Sequence, residues 1–471
     1  MERTFIKDTI NKIGEEVLIK GWVLSVRDHG KLLFLDVKDF TGLVQIVLQD
    51  SSLKPHDAKI GEWFVVQVEG IVKERPENLR NPKLETGNIE IEAKRIEILS
   101  QSKTLPFPVE GDGYEISEEL RLKYGYLDLR RERLQRNLKV RGEVQDIVRH
   151  FLKKKGFVEI ETPYLTKSTP EGARDFLVPS RLEPGKFYAL PQSPQQYKQL
   201  LMLSGIERYF QFPRCFRDED LRGDRLLEFT QFDCEIAFTS EEEVLQLTEE
   251  FVILATEKLG KKIQEKPFLR LTYEQAQKQY KSDKPDLRKD KNDKNLMAYA
   301  WITDFPMFEE KDDGTLGAVH HPFTAVEESL RGKVSKKLSR AELLGIKAQQ
   351  YDLVLNGFEV FGGSIREHDA QNLASIFEVL GYGHERIERD FGHLLEAFRF
   401  GVPPHGGIAA GFDRWIQAMM GERSIREIVA FPTTGSGRTA VMDSPSAVDK
   451  GQLEPLGIAL TKAKKLKRFK I

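Results

Sequence analysis

Short runs of alternating apolar and polar residues fill the first part of the chain. They extend from Glu16 to about Ser100, as EVLIKGWVLSVRDHG, KLLFLDVKD, GLVQIVLQD, EWFVVQVEGIVKE and NIEIEAKRIEILS, and turns rich in glycine and aspartate separate them. Alternation with a period of two is the pattern of a strand with one buried face. Strands of this number and length predict a small β-barrel, and the OB-fold is the obvious candidate.

The pattern changes after the barrel. Residues 105–132 mix prolines and glycines with a short helical stretch, which is the composition of a hinge or linker. The segment NLKVRGEVQDIVRHFLKKKGF, residues 137–157, has helical spacing, and the strand-like VEIETPYL follows it. We therefore predict an α+β protein with a barrel at 1–104, a hinge at 105–132 and a larger domain at 133–471.

The segment PRCFRDEDLRGDRLLEFTQFDCE, residues 213–235, predicts two strands around a charged loop. In the second strand Phe229 and Asp233 share one face, and in the first strand Arg217 and Glu219 share another. A guanidinium fork suits phosphate or carboxylate oxygens, and a flat ring suits a base. An isolated segment of this kind would more often be a solvated edge hairpin.

Composition limits the classes of protein that the chain can represent. Charged residues make up 31% and hydrophobic residues 40%, and the formal net charge of -2 gives no global attraction to nucleic acid. A nucleic-acid partner must therefore be held by local basic patches and by stacking. No apolar run approaches the roughly 18 residues of a membrane-spanning helix. The only cysteines, Cys215 and Cys234, have neither metal-ligand nor disulfide-framework spacing, which suits a reducing compartment. We therefore expect a cytoplasmic protein. We expect it to bind neither a membrane nor DNA.

Ionisable side chains recur in later segments that are otherwise apolar. In SPQQYKQ, Gln195 and Lys198 share a helical face, which would let the lysine meet a substrate anion. Asp352 and Glu359 lie in the segment YDLVLNGFEVFGGSIREH, where a carboxylate is costly without a partner such as magnesium. Arg366, near the end of that segment, suits a bidentate pair with a carboxylate. Taken singly, a lysine like Lys198 would more often be solvated.

Together these segments resemble the class II aminoacyl-tRNA synthetases, and in detail the aspartyl-tRNA synthetases. Three family motifs occur in order, namely the helix and strand at 137–165, the hairpin at 213–235 and GVPPHGGIAAGFDRW at 401–415. SPQQYK, HHPFT and YDLVLNGFE are more specific, and the resemblance covers nearly the whole chain. It implies an aspartate–tRNA ligase that uses ATP and Mg2+, binds L-aspartate and tRNA(Asp), and forms a homodimer.

The resemblance also implies roles for individual residues. Lys198 and Arg366 would bind the side-chain carboxylate of aspartate, while Arg217 and Arg414 would be the catalytic cations at the phosphates. The implied aspartate-binding residues are Glu171, Ser193, Gln195, Gln196, Tyr197, Lys198, Arg217, Asp233, His320 and Arg366. The implied ATP-binding residues are Arg217, Asp218, Glu219, Phe229, Glu359, Gly411, Phe412, Asp413 and Arg414. The implied metal ligands are Asp352 and Glu359.

The barrel resembles the anticodon-binding domain of the same family, through the string GWV…RDHG…LFLDV…GLVQIV. On this basis Phe34 would stack on an anticodon base, Gln45 would read a base edge and Arg27 would supply charge. From the sequence alone a core position for Phe34 is slightly favoured, since LLFLDV alternates ambiguously. His29, in the same anticodon-binding set, replaces a leucine and resembles the relatives that also charge tRNA(Asn).

Three departures from the family pattern qualify the resemblance. The large inserted domain that bacterial relatives carry after SDKPDLR is missing, and a short polar loop near 283–297, which we expect to be disordered, takes its place. Leu226 and Leu227 replace a usual Gln-Pro whose glutamine contacts ATP, so we expect a modestly altered nucleotide affinity. Phe361 replaces a usual glycine and puts close approach of the backbone to the nucleotide in doubt.

Three alternative functions remain open at this point. An asparaginyl or lysyl enzyme shares the fold, although Lys198 with Arg366 favours an acidic substrate. A ligase that makes a free amide without tRNA would not need the barrel. A non-enzymatic RNA-binding relative is expected to lose Arg217, Glu359 or Arg414, and all three are present.

Overall fold

The computed structural model describes residues 1–30, 32–49, 59–168, 172–221 and 223–461. The chain divides into two compact units, Met1–Pro108 and Val109–Ile471, each with its own hydrophobic core. Within the described ranges, no helix combines the length and the apolar character that crossing a bilayer requires. The predicted α+β class is confirmed, with a barrel in the first unit and a sheet flanked by helices in the second.

The first unit is a closed barrel, as the sequence predicts. Its strands are β1 (Glu16–Asp28), β2 (Leu33–Lys38), β3 (Leu43–Leu48), β4 (Val65–Glu74) and β5 (Ile89–Ser100). They close in the order β1-β2-β3-β5-β4, with β3 and β5 parallel and the other pairs antiparallel. This closed, five-stranded arrangement is that of an OB-fold.

The alternation in β2 decides which residues fill the barrel. Leu33, Leu35 and Val37 are buried in the core, while Phe34 between them is only partly buried. A core position for Phe34, slightly favoured by the sequence alone, is therefore wrong. The two flanking leucines take the core positions, and a period of two sends the ring to the outer surface.

A nine-stranded sheet is the centre of the second unit. The strands of this unit are β6 (Val158–Glu159), β7 (Leu177–Pro179), β8 (Phe187–Ala189), β9 (Arg208–Gln211), β10 (Arg214–Phe216), β11 (Glu228–Ala237), β12 (Lys262–Ile263), β13 (Leu269–Thr272), β14 (Leu296–Met297), β15 (Tyr299–Thr303), β16 (Phe308–Glu310), β17 (Leu316–Ala318), β18 (Gln350–Leu355), β19 (Phe358–Ile365) and β20 (His405–Gly411). The sheet order is β13-β15-β18-β19-β20-β11-β9-β6, with β10 paired to β11. Most pairs are antiparallel, whereas β13 with β15 and β6 with β9 are parallel.

Helices cover both faces of this sheet. The helices of the second unit are α1 (Glu118–Lys123), α2 (Gly125–Asp128), α3 (Glu132–Lys154), α4 (Gln195–Leu203), α5 (Glu241–Lys258), α6 (Tyr273–Tyr280), α7 (Arg340–Leu344), α8 (Ala370–Val379), α9 (His384–Phe398), α10 (Phe412–Met420) and α11 (Lys450–Leu453). Apolar residues of α3, α5 and α10 pack with those of the sheet into the main core. On β11, Phe232 and Cys234 belong to this core, so Asp233 and Glu235 point to the opposite face, where α4 lies.

Residues 109–132 belong to the second unit. In this segment Arg121 binds Asp128 at 3.0 Å and Glu427 at 2.7 Å, and all three side chains are buried. Separating a buried guanidinium from its carboxylates is costly, so the segment is held firmly on the second unit. The division between the two units falls within the hinge that the sequence predicts at 105–132.

The loop near 283–297 is folded, so the expectation of disorder is wrong. Gln264 secures it, since its Nε2 donates to Leu287 O at 3.0 Å and its Oε1 accepts from Lys289 N at 2.8 Å. The last two residues of the loop form β14, which pairs with β12. The polar composition was misleading because a side chain outside the loop satisfies its backbone groups.

A β-bulge in β19 decides which side chains reach the other face of the sheet. Leu353 pairs with Phe361 and Val354 pairs with Glu359, so Val360 is the extra residue. Val360 and Phe361 consequently both join the core, where each is 1% exposed. The doubt about backbone approach at Phe361 is removed, because its ring packs among core aromatics and away from the cavity described below.

Candidate active site

An open cavity of about 300 Å³ lies over β11, β19 and β20. Cations, carboxylates, an aromatic ring and glycine backbone line it together. The lining residues are Arg217, Glu219, Asp224, Arg225, Leu226, Phe229, Gln231, Glu359, Val360, Gly362, Ala409, Gly411, Asp413, Arg414 and Ile425. Most of the residues predicted to bind ATP are among them, and this mixture suits a phosphorylated nucleotide with a flat base.

Arg217 is fixed beside the aromatic ring of this cavity. Its guanidinium carbon lies 5.1 Å from the centroid of Phe229. Its backbone N donates to Leu227 O at 2.8 Å, and its Nε donates to Gln192 O at 3.4 Å. The stacked pair holds a cation and a flat surface side by side, so one ligand can place a phosphate and a base against them.

Arg414 enters the same cavity from α10. Its Nη1 donates to Glu359 O at 3.2 Å, and its Nη2 lies 3.4 Å from Asp224 Oδ2. Its Nε is buried and has no hydrogen-bond partner among the described residues. A buried N–H without an acceptor costs free energy, so this guanidinium is suited to receive an added anion.

Three other residues predicted to bind the nucleotide are held by protein contacts, two in ion pairs and one in the core. Glu219 lines the cavity and binds Arg225 at 2.9 Å. Asp218 lies 3.4 Å from Arg174 and is outside the cavity lining. Phe412 is 0% exposed, because the first residue of α10 turns its ring into the core. The side chains of Asp218 and Phe412 therefore do not face the cavity.

Asp413 is oriented by structural bonds. Its Oδ1 accepts from Arg141 Nε at 3.0 Å, and its Oδ2 accepts from Thr230 N at 2.9 Å. The carboxylate thus ties the start of α10 to α3 and β11. Asp413 borders the cavity, but its two oxygens already have donors.

Asp352 and Glu359 border one small space at the edge of the cavity. A Cβ placed on Gly362 would lie 3.0 Å from Asp352 Oδ1 and 3.8 Å from Glu359 Oε1. Burial and the charge of Asp352 raise the pKa of Glu359. Two neighbouring carboxylates favour a cation between them, and only glycine leaves the room for it.

His320 belongs to this carboxylate pair. Its Nε2 lies 3.0 Å from Asp352 Oδ2. Burial opposes its protonation, but the adjacent carboxylate of Asp352 outweighs burial and raises the pKa of His320 to about 9. The pKa of His321, in contrast, is lowered by burial and by the charges of Arg366 and Lys198. The family resemblance implies His320 as an aspartate-binding residue, and in the structure its ring contacts Asp352.

A buried ion-pair cluster connects α4, β11 and the end of β19. Lys198 Nζ lies 2.8 Å from Asp233 Oδ2 and 3.1 Å from Glu235 Oε2. Arg366 donates to Glu235 through Nε at 2.8 Å and Nη2 at 3.2 Å. The four side chains are between 0% and 5% exposed. Lys198 and Arg366, which the sequence predicts on one substrate carboxylate, are thus held together by one protein carboxylate.

The two carboxyl groups of the cluster differ in charge balance. Burial alone would raise the pKa of Glu235, but Arg366 and Lys198 outweigh it and lower the pKa to about 2. Burial raises the pKa of Asp233 despite the contact with Lys198. Asp233 Oδ1 is buried and has no hydrogen-bond partner among the described residues. This oxygen is an acceptor available to a substrate cation.

Both cations of the cluster have more N–H donors than the described contacts use. A lysine ammonium has three donors, and Asp233 and Glu235 account for two of those on Lys198. A guanidinium has five donors, of which Glu235 takes two and Ser364 Oγ a third at 2.7 Å. The remaining N–H groups can bind one further carboxylate.

The other predicted aspartate ligands lie on two sides of α4. Gln195 is buried on the side of Lys198, and its backbone N donates to Ser193 Oγ at 3.3 Å. Gln196 and Tyr197 instead line a second cavity of about 240 Å³ with Ser193. The family resemblance assigns all of them to one site, but neighbours on a helix point in different directions. Glu171 lies outside the described residues.

Sequence reasoning missed Glu235, which is central to the ion-pair cluster. The signal was present, because Glu235 continues the period of two that places Phe229, Gln231 and Asp233 on one face. The prediction stopped at Asp233. Glu235 is the next residue on that face of a buried strand. A buried carboxylate there requires cations, and Lys198 and Arg366 supply them.

The predicted anticodon residues gather on one outer face of the barrel. Phe34 is opposite Arg27, and Asp36 is opposite Gln45. Arg27 donates to Asp36 at 2.7 Å and 3.1 Å and to Gln45 Oε1 at 3.1 Å. The ring of His29 meets that of Phe34 edge-on, with centroids 5.7 Å apart. A half-exposed ring thus stands beside polar groups, as a stacking surface for bases requires.

Two family descriptions match this chain. The description "tRNA synthetases class II (D, K and N)" matches residues 117–435, and "OB-fold nucleic acid binding domain" matches residues 17–99. The first match covers more than half of the chain. The chain belongs to the class II tRNA synthetases (D, K and N).

Relatives of this class II synthetase carry a more specific name. The chain is 40% identical to "Aspartate--tRNA(Asp/Asn) ligase" of Thermodesulfovibrio yellowstonii and 39% identical to that of Hydrogenobaculum sp.; both alignments cover 95% of this chain and 98% of the relative. The resemblance to aspartyl-tRNA synthetases is thereby confirmed. The first alignment spans 580 positions, whereas this synthetase has 471 residues, so that relative contains a length of chain without a counterpart here.

The fold of this class II synthetase also matches solved structures. The asparaginyl-tRNA synthetase of Pyrococcus horikoshii complexed with asparaginyl-adenylate has a TM-score of 0.73 at 22% identity and covers 92% of this chain and 98% of its own. A putative aspartyl-tRNA synthetase of Leishmania major Friedlin has a TM-score of 0.72 at 19% identity and covers 92% and 94%. At such identities the likeness concerns the fold.

Proposed function

We propose that this synthetase activates L-aspartate with ATP and transfers the aspartyl group to tRNA(Asp). The observation that carries the proposal is the buried cluster in which Glu235 holds Lys198 and Arg366 together, next to Asp233 Oδ1, which has no hydrogen-bond partner among the described residues. The two cations bind the side-chain carboxylate of aspartate, and Asp233 binds its α-ammonium group. The relatives named as aspartate–tRNA(Asp/Asn) ligases support this substrate.

The same cluster accounts for the rejection of asparagine. The spare groups on Lys198 and Arg366 are all N–H donors, and a carboxylate accepts from both at once. The amide of asparagine would present an N–H group of its own and leave a buried donor unpaired. Sites built on buried polar pairing reject an analogue that cannot complete it by up to about 10⁴-fold.

The open cavity beside the cluster is proposed to hold ATP. Arg217 binds the α-phosphate and the α-carboxylate of aspartate, and Phe229 stacks the adenine ring. Arg414 binds the terminal phosphate through its guanidinium, whose Nε has no hydrogen-bond partner among the described residues. Glu219 accepts from the adenine amino group, for which it has to exchange its present partner Arg225, 2.9 Å away.

Mg2+ fits the space between Asp352 and Glu359. The glycine at 362 leaves open a position close to both carboxylates, and hard oxygen ligands suit this ion. Within the described part of the chain no group of three or more potential metal ligands occurs. That number is not needed, because magnesium at nucleotide sites takes one or two carboxylates and completes its shell with phosphate oxygens and water. Bound there, the ion would neutralise phosphate charge.

The residues named above position the reactants. The reaction itself needs no strong base. The α-carboxylate of aspartate, already a nucleophile, attacks the α-phosphorus of ATP, and pyrophosphate leaves with the bonding electron pair. Arg217 and Arg414 stabilise the charge that develops on the phosphate oxygens. The terminal ribose hydroxyl of the tRNA then attacks the aspartyl carbonyl carbon, the bond from that carbon to the phosphate oxygen breaks, and AMP leaves while the hydroxyl proton is released. Holding the partners in line supplies much of the rate enhancement.

The first experiment is pyrophosphate exchange with purified protein. We expect exchange into ATP that depends on L-aspartate, with asparagine and lysine at least about a thousandfold less effective in kcat/KM. Exchange with asparagine instead would sink the aspartate proposal. The second step is aminoacylation with and without tRNA(Asp), because a ligase making a free amide would form product without RNA and an RNA-binding relative would form none.

The choice of tRNA is a separate part of the proposal. We propose that tRNA(Asn) is charged as well, on the basis of His29 on the anticodon face and of relatives named for both tRNAs. Aspartylation of tRNA(Asp) and tRNA(Asn) side by side tests it. Charging of both transcripts is expected, and charging of tRNA(Asp) alone would refute the argument from His29 without touching the activity.

The synthetase is further proposed to work as a cytoplasmic homodimer. The two-residue strand β6 ends the sheet order, and its Val158 is 52% exposed. Tyr164 and Leu165, which follow it, are 36% and 53% exposed. An open sheet edge with exposed apolar side chains suits pairing with the same surface of a second copy.

A further inference from the structure

A line of three buried side chains lies beside the proposed amino-acid pocket, which is formed by Lys198, Arg366, Asp233 and Glu235. His405, at the start of β20, contacts Gln199 of α4, with 3.1 Å between His405 Nε2 and Gln199 Nε2. Gln199 Oε1 accepts from Gln195 Nε2 at 3.1 Å. Gln195 is 5% exposed, while Gln199 and His405 are 0% exposed. The inference drawn from this line rests on the proposed function.

The far end of the line fixes the direction of every hydrogen bond in it. His405 Nδ1 lies 2.8 Å from Pro403 O, and a backbone carbonyl can only accept. The histidine proton is therefore on Nδ1, and Nε2 of the neutral ring is an acceptor. Gln199 must donate its N–H to that acceptor, which turns its Oε1 toward Gln195. Gln195 must then donate to Gln199, which leaves its own Oε1 on the far side.

The reverse direction would require a doubly protonated ring. Burial, opposed by the charge of Glu235, lowers the pKa of His405 to about 4, which agrees with a neutral ring. In the reverse arrangement Gln199 would present Oε1 to the histidine and its N–H groups to Gln195. Gln195 would then direct N–H donors at the pocket, and a donor repels an ammonium group.

We propose that His405 is a positioning residue for the amino-acid substrate. Its unprotonated Nε2 orients Gln199, and Gln199 orients the amide of Gln195 so that Oε1 accepts from the α-ammonium group. Gln195 shares a face of α4 with Lys198, which is 2.8 Å from Asp233. The ammonium group of aspartate therefore meets two acceptors, Asp233 Oδ1 and Gln195 Oε1. An unoriented amide would offer a donor in half of its states.

Steady-state pyrophosphate exchange on full-length variants tests the proposal. Gln199→Leu is expected to raise the KM for L-aspartate about tenfold or more, the value of a hydrogen bond to a charged group. The KM for ATP should stay within twofold. Succinate, which lacks the α-ammonium group, serves as a competitive inhibitor, and its inhibition constant should be unchanged because the line acts only on that group.

Two further variants separate orientation from general damage. His405→Gln keeps an acceptor oxygen for Gln199, so its KM for aspartate should lie much closer to wild type than that of His405→Leu. Gln417→Leu is the matched control, since Gln417 is 2% exposed and donates to Glu422 O at 3.3 Å away from this line. It should leave the KM for aspartate unchanged.

The outcomes distinguish this proposal from the proposed function. If the aspartate KM and the succinate constant rise together in Gln199→Leu, or the aspartate KM does not move, the positioning role is wrong and the activity stands. If His405→Gln is as impaired as His405→Leu, the acceptor role of the ring is wrong. If the wild-type protein shows no exchange with aspartate, the proposed function fails first.

Discussion

Among the described residues, Lys198 is the cation that contacts both Asp233 and Glu235 in the ion-pair cluster. We predict that Lys198→Leu lowers kcat/KM for aspartate in pyrophosphate exchange by at least about a thousandfold, because the substrate carboxylate loses a cation and Asp233 and Glu235 lose theirs. Removing one partner of a buried pair also costs about 3–5 kcal/mol of unfolding free energy. Thermal unfolding therefore accompanies the assay.

Lys153→Leu is the matched control for this loss of charge. Lys153 pairs with Glu159 at 3.6 Å but is 56% exposed, so its removal should change neither activity nor stability measurably. A folded Lys198→Leu protein that keeps most of its aspartate-dependent exchange would overturn the assignment of the pocket.

Glu235 makes stability depend on acid. Its pKa lies near 2 in the folded state against 4.5 in the unfolded state, so its contribution is complete above pH 4.5 and is lost as the pH falls toward 2. Glu235→Gln should lower the free energy of unfolding by on the order of 3 kcal/mol at pH 7. The same variant should lose less stability than wild type between pH 6 and about pH 3.5.

Urea unfolding at three pH values in that interval measures the difference. Glu274 supplies the comparison, since it is an exposed carboxylate on α6, and Glu274→Gln should keep nearly all of the acid dependence. Parallel pH curves for wild type and Glu235→Gln would contradict the assignment of a depressed pKa to Glu235.

A substitution at Leu226 tests the proposed role of the open cavity over β11, β19 and β20. Leu226 lines this cavity at 6% exposure, in a position where the family resemblance implies a glutamine that contacts ATP. Leu226→Gln should lower the KM for ATP about threefold to tenfold, the worth of one neutral hydrogen bond. The KM for aspartate should be unaffected, and an unchanged KM for ATP would remove the idea.

At this scale the sequence could predict charge but not partnership. The resemblance to the synthetase family identified Lys198, Arg366 and Asp233, whereas the cost of unpartnered carboxylates in apolar segments pointed to Asp352 and Glu359. The sequence did not reveal that Glu235 joins the two cations, or that His320 lies 3.0 Å from Asp352. Those facts depend on distances between strands far apart in sequence, which no local spacing contains.

Elements set the orientation of the site through register. The bulge at Val360 puts two consecutive side chains into the core and leaves Glu359 and Gly362 toward the cavity. The sequence raised a doubt about Phe361 because it replaces a glycine of the family pattern, and strict alternation would also have placed its side chain on the same face as Glu359. A period of two predicts faces well in β11, where pairing is regular, and fails where one residue is inserted.

The barrel gives a prediction that separates RNA binding from amino-acid chemistry. Phe34 is half-buried on the face formed with Arg27 and Gln45. Phe34→Ala should lower kcat/KM for tRNA(Asp) aminoacylation about tenfold to a hundredfold, since stacking on a base contributes about 1–3 kcal/mol. Aspartate-dependent pyrophosphate exchange without tRNA should be unchanged.

Phe40→Ala is the matched control on the same barrel. Phe40 is 67% exposed and packs edge-on against Phe5, away from the Arg27 face. Its loss should leave aminoacylation unchanged. Equal losses of exchange and aminoacylation in Phe34→Ala would refute the anticodon role, because a base-stacking ring contributes nothing to activation of aspartate.

The whole molecule divides its work between two units with separate cores. The class of each unit was predictable, since alternation over five runs predicts a barrel and the ordered motifs predict the synthetase sheet. The loop at 283–297 was not, because polar composition does not reveal that Gln264 binds its backbone. Polar composition indicates that a segment can be exposed to water. Which hydrogen-bond partners its backbone groups find depends on the fold.

Assembly is the remaining property at this scale, and β6 makes it testable. Val158 is 52% exposed on a strand that ends the sheet order, so a second copy could pair there and cover its side chain. Val158→Asp should convert a dimer into a monomer, because two facing copies would each bury an unpaired carboxylate.

Light scattering after gel filtration measures the mass at about 1 and 50 µM. Leu182→Asp, at a residue that is 76% exposed elsewhere in the same unit, should remain dimeric. A wild-type protein with the mass of one chain at both concentrations would refute the proposed dimer, whereas a dimer that survives Val158→Asp would move the interface to another surface.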